Sequence, residues 1–219
     1  HGTNSLLREP AMTRAQALQA LQLGIDLATD AAREGIGLFG TGEMGIGNTT
    51  PSAAITALMT GRPVADVTGR GTGIDDAGHA RKVAVIQQAL DRHRPNRADA
   101  LDVLAKVGGL EIAGLAGLML GAAAARVPVV LDGFIAGAAA LVAVGLQPLC
   151  RDYLIASHRS VERGHQAILE WLALKPLLDL DLRLGEGTGA CLGMGLVHAS
   201  IKILTEMATF DEAGVTELD

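Results

Sequence analysis

Apolar residues recur every three or four positions over residues 12–34, at Leu18, Leu21, Ile25 and Ala28, which predicts an amphipathic helix. Thr13 stands where its N-cap belongs, and Gln16 three residues later completes a capping box. A short apolar run over 35–39 then enters a glycine-rich segment, GTGEMGIGNTT, at 40–50. Thr50 and Pro51 read as the cap and first residue of a helix to about Thr60. A second glycine-rich loop, DVTGRGTGIDD at 66–76, precedes a helix over 77–92 that carries Lys82. Another helix over 97–107 is stopped by Gly108 and Gly109.

Two uncharged stretches follow, 112–125 and 133–150, with the β-branched run VPVVLD at 127–132 between them. The first is too short for a bilayer, and the second is interrupted by Gly137, Gly145 and Pro148. Together they read as helix, strand and helix in a protein interior, with no membrane partner. DYLIA at 152–156 predicts a further strand, and SHRSVERGH at 157–165 turns the chain into a helix ending near Leu174. A third glycine-rich loop, PLLDLDLRLGEGTGA at 176–190, opens the last helix, 191–208. The segment 209–219 is acidic and expected to be loosely held. Strand-like and helix-like segments alternate without a repeat or linker. That pattern predicts one α/β domain over 1–219: a Rossmann-like, doubly wound parallel sheet with helices on both faces, in three layers.

Composition narrows the picture. With 49% hydrophobic but only 2% aromatic residues and 28 glycines in 219, the core must be aliphatic and closely packed. A net charge of −6 leaves no broad basic face, which argues against a nucleic-acid partner. Cys150 and Cys191 form no CxxC pair and are expected to be reduced, buried thiols of a cytoplasmic protein. No signal peptide is visible, and because the sequence starts at His1 it is expected to be a piece of a longer chain.

Ligands of open parallel sheets bind beyond the carboxyl ends of the strands. Each of the three glycine-rich loops falls at such a junction and carries charge: Glu43, then Arg70, then Arg183 with Glu186. Glycine lets backbone N–H groups approach a phosphate, although no GxxxxGK[ST] is present. Glu186, flanked by Gly185 and Gly187, could take a proton from a bound nucleophile, or could be a solvated loop residue. Glu43 has the same two readings. His158 and His165 lack the partners of a metal site. Asp75 and Asp76 fit a helix start, or an imitation of a ribose-binding acidic pair. Arg92, His93, Arg94 and Arg97 form a local basic loop.

GEMGIGNTT, VTGRGTG with Lys82, VVLDGFIAGAAALVA, ASHRSVERGH and PLLDLDLRLGEGTGA occur in this order. This order resembles the nicotinate-nucleotide–dimethylbenzimidazole phosphoribosyltransferases of cobalamin lower-ligand synthesis. The resemblance spans nearly all of this chain but about the last two-thirds of a family member. It implies transfer of ribose 5-phosphate from nicotinate mononucleotide to 5,6-dimethylbenzimidazole, giving α-ribazole 5′-phosphate and nicotinate, in a cytoplasmic homodimer. It implies Glu186 as general base and Glu43 as a charge-stabilising carboxylate. It further implies Gly45, Gly71, Lys82, Ser160 and Arg183 around the phosphate, and Met44, Ile46 and Leu184 against the flat base. The leaving pyridinium is already cationic, so no metal or other cofactor is implied. Two alternatives stand beside it: an inactive or regulatory fragment of that enzyme, and a Rossmann-like oxidoreductase holding ribose through Asp66.

Overall fold

The computed structural model describes residues 2–214. Nine helices and three short strands are formed among them. Helix α1 (Arg14–Arg33) begins at the predicted capping box, with Thr13 accepting from the Gln16 N–H. Its buried face is Ala17, Leu21, Gly24 and Ala28, which keeps Leu21 and Ala28 of the expected stripe but not Leu18. Leu18 is exposed, because the contact with α6 (Leu110–Ala124) runs along small residues. A Cβ on Gly24 would collide with the backbone of Gly114 in α6, and one on Gly117 with the Leu21 backbone. The two helices therefore touch backbone to backbone, which is how a chain almost without aromatics fills its interior.

Strands β1 (Phe39–Gly40), β2 (Val129–Leu131) and β3 (Leu154–Ala156) pair in parallel in the order β1-β2-β3. The sequential order contains no reversal among the described strands. A further parallel bridge joins His158 to Leu178, extending the pairing beyond β3. Side chains alternate across a strand. Val129 and Leu131 enter the main core with α6 and α7 (Phe134–Leu146). Val130 faces the other way, where the first turns of α9 (Thr188–Glu206) lie so close that a Cβ on Gly193 would crowd its Cγ1. Helices therefore cover both faces, giving the three expected layers.

The remaining helices are α2 (Thr49–Thr60), α3 (Val64–Val67), α4 (Asp76–His93), α5 (Ala100–Val107) and α8 (Arg163–Leu172). Helix α2 starts one residue before the predicted Thr50 cap, with Asn48 at the N-cap. Residues 148–153 form a 3-10 turn, so β3 begins at Leu154 rather than Asp152. Cys150 is buried, and burial pushes its thiol up to about 11. Cys191 is exposed on α9, contrary to expectation, because that helix is covered on one side only. Among the described residues, α9 alone has the length and apolarity to cross a membrane. Only its first turns pack, against β1 and β2. The end of the acidic segment, 215–219, lies outside the described residues.

Candidate active site

The end of β2 organises the site. Asp132, the residue after that strand, is 3% exposed, and its carboxylate accepts three backbone N–H groups at the start of α9. Gly187 and Gly189 donate at 3.0 and 2.8 Å, and Ala190 donates at 3.3 Å. These donors would otherwise be unpaired at a helix N-terminus, where a negative charge is also favoured by the peptide dipoles. Asp132 thus caps α9 from across the fold and fixes the third glycine-rich loop against the sheet. Its own N–H donates to Thr41 Oγ1 at 2.9 Å, tying in the first loop as well. Nothing in the sequence analysis assigned Asp132 a role. The available signal was an acid followed by glycine at the carboxyl end of a β-branched run.

Gly189 must lack a side chain, since a Cβ there would collide with His158 and lie 2.9 Å from Asp132 Oδ1. Just before it, Gly185, Glu186 and Gly187 all have positive φ, 77°, 58° and 80°. A left-handed glutamate is uncommon. Here the capped helix start behind it holds the turn, and Glu186 stands exposed at its tip.

The loops surround one cleft of about 700 Å³. All ten residues expected to bind or react line it: Glu43, Met44, Gly45, Ile46, Gly71, Lys82, Ser160, Arg183, Leu184 and Glu186. Glu43 is half-buried and takes a hydrogen bond from the Asn48 amide, with Oε1 close to Gly185. Burial raises its pKa above the usual carboxylate range, aided by Asp132, Glu111 and Glu186 and opposed by the Asn48 bond. The carboxylate with raised proton affinity is therefore on the first loop.

Lys82 reaches in from α4, and its Nζ donates to Thr49 Oγ1 at 2.7 Å and to the Gly69 carbonyl at 3.2 Å. Burial lowers its pKa, and Glu162 pulls it back up. An ammonium has three protons, so one remains for a ligand. Ser160 is buried at the cleft wall, and its Oγ accepts from the Glu162 N–H at 3.3 Å, leaving the hydroxyl proton available. Met44, Ile46 and Leu184 are 86%, 93% and 68% exposed, an apolar rim left open by the described residues.

Several other expectations resolve away from the cleft. Asp75 caps α4 through the Gly78 N–H at 2.7 Å, and Asp76 pairs with Arg70. Neither lines the cleft, so the acidic pair is a helix start. Asp66 lies exposed on α3 and is absent from the lining, which removes the ribose contact an oxidoreductase reading needs. His93 binds the Leu6 carbonyl at 2.7 Å. No group of three or more His, Cys, Asp or Glu positioned to hold a metal occurs among the described residues. His165 is buried and accepts the Ser160 N–H on Nδ1 at 2.9 Å.

The chain is similar in sequence and fold to known proteins. A relative from Chloroflexus aggregans is 64% identical over 99% of this chain and 62% of its own length, and one from Roseiflexus sp. is 66% identical over 98% and 61%. Both are named nicotinate-nucleotide–dimethylbenzimidazole phosphoribosyltransferase. The crystal structure of CobT from Thermus thermophilus superposes with a TM-score of 0.92 at 48% identity, covering 99% of this chain and 64% of that one. The chain thus spans about 62% of the length of such relatives. The phosphoribosyltransferase model DBI_PRT matches residues 1–215, and the chain belongs to that family.

Proposed function

We propose that this cleft transfers ribose 5-phosphate from nicotinate mononucleotide to 5,6-dimethylbenzimidazole. The observation that carries the reading is the meeting of the Glu43 and Glu186 carboxylates, the Lys82 and Arg183 cations and an apolar rim in one cleft built from three glycine-rich loops. Lys82, Arg183, Ser160 and the backbone at Gly45 and Gly71 suit a phosphate, since charge-assisted N–H donors bind it strongly. Arg183 also touches the Gly71 carbonyl at 3.4 Å, linking the second and third loops where the phosphate would lie. Met44, Ile46 and Leu184 supply apolar surface for a planar base.

In the reaction, a benzimidazole nitrogen lone pair forms a bond to C1′. The bond from C1′ to the pyridinium nitrogen breaks, and its electron pair returns to that nitrogen, cancelling the ring's positive charge as nicotinate leaves. The second benzimidazole nitrogen then loses its proton, which Glu186 accepts. Glu43, fixed by Asn48, offsets positive charge developing on the ribose. No step calls for a metal, so turnover is expected to survive EDTA. The protein is read as one α/β unit acting as a cytoplasmic homodimer on small molecules. The test is chromatography of α-ribazole 5′-phosphate formed from the two substrates, alongside calorimetry of nicotinate mononucleotide binding. Absence of nucleotide binding would refute the reading.

A further inference from the structure

One imidazole on the cleft wall has a ring nitrogen that the protein leaves unused. His158 is 3% exposed, yet it lines the cleft beside Gly133 and Ser160. Ser157 Oγ lies 3.3 Å from the Asp132 carbonyl oxygen and 3.0 Å from His158 Nδ1. A hydroxyl has a single proton. Donated to the carbonyl, it leaves Oγ to accept from Nδ1–H, which sets the tautomer. Nε2 then carries a lone pair and no proton. Among the described residues it makes no hydrogen bond, and no fully enclosed side-chain nitrogen or oxygen lacks a partner, so Nε2 must open onto the cleft. Burial lowers the pKa of the ring, against the pull of Asp132. The backbone is pinned on both sides, with Leu178 N–H donating to Ser157 at 3.0 Å and Arg159 N–H to Leu178 at 2.9 Å.

A fixed lone pair repels phosphate and carboxylate oxygens and accepts from a donor. In the substrates proposed above, the benzimidazole proton goes to Glu186, and the donors that remain are the ribose hydroxyls. We propose that His158 Nε2 accepts a hydrogen bond from a ribose hydroxyl and so selects ribose over deoxyribose phosphates. This specificity role rests on the transferase reading, but the sugar can be tested apart from the base.

Ribose 5-phosphate, its 2-deoxy and 3-deoxy analogues and inorganic phosphate serve as probes on the unaltered chain. A neutral hydrogen bond contributes about 0.5–1.5 kcal/mol, so one deoxy sugar should bind roughly 2- to 12-fold more weakly than ribose 5-phosphate. In parallel, ¹⁵N NMR of His158 should show an unprotonated Nε2 whose resonance moves with ribose 5-phosphate and stays put with phosphate. Gly133→Ala gives a second readout without removing the imidazole. Its φ is negative at −113°, and the methyl would sit 3.6 Å from Nε2 in ordinary contact. It should erase the ribose preference while leaving phosphate affinity intact. An Nε2–H tautomer, equal affinities for all three sugars, or no ribose 5-phosphate binding would each overturn the assignment. A sugar response without nicotinate mononucleotide transfer would instead uphold it and sink the base identification.

Discussion

Replacing Asp132 by asparagine changes one atom of a buried side chain and should unseat the third loop. Oδ1 accepts from Gly189 and Ala190, and Oδ2 accepts from Gly187. An amide can keep its oxygen toward one side only, so its NH₂ must face an N–H that already donates. If oxygen stays with Gly189 and Ala190, the Gly187 N–H loses a charge-assisted bond, a loss of about 1.5–3 kcal/mol. The two surviving bonds become neutral and the favourable charge at the α9 start disappears, adding roughly 0.3–1 kcal/mol. Relief of burying a carboxylate works in the opposite direction. The net expectation is about 2–3 kcal/mol, or a Tm lower by roughly 4–12 °C for a chain of this size. Calorimetric melting measures the shift, and hydrogen exchange locates it, with faster exchange expected at Gly187, Gly189 and Ala190. A Tm within about 2 °C of the parent, with these amides still protected, would refute the capping role.

Glu186→Gln should lower turnover by about 10²–10⁴-fold with little change in nucleotide affinity, while Glu43→Gln should retain part of the rate; steady-state kinetics decide, and near-normal turnover by the Glu186 variant removes its role as base. Lys82→Ala should weaken nicotinate mononucleotide binding by about 1.5–3 kcal/mol and leave free nicotinate nearly unaffected, with the exposed Arg183→Ala showing a smaller loss; equal calorimetric losses for both ligands would move the phosphate elsewhere. His165 is pushed down by burial from 6.5 to about 3, helped by His158. The unfolded chain therefore binds its proton first on acidification, so this contribution to stability is complete above about pH 6.5 and lost progressively toward pH 3. Urea titrations of His165→Asn should show a shallower decline over that window, not an abolished one, since burial also lowers His158; an unchanged slope would contradict the neutral, accepting Nδ1.

The order of helices and strands was legible because it depends on local chemistry: the Thr13–Gln16 box, the glycine stops at 108 and 109, and the β-branched run before Asp132. The three loops were legible for the same reason, and their ten candidate residues do share one cleft. The sequence could not show which apolar residues face inward where helices meet through glycine, so Leu18 and Cys191 were misplaced. Nor could it show that Asp132 caps a helix starting 56 residues later, since that pairing exists only once β2 and α9 are adjacent. The same holds for the two carboxylates. Glu43 and Glu186 looked equivalent as residues in glycine-rich loops, but tertiary packing half-buries one and strands the other at the tip of a left-handed turn. Desolvation and crowding by distant charges are properties of the assembled surface, and no local pattern encodes them.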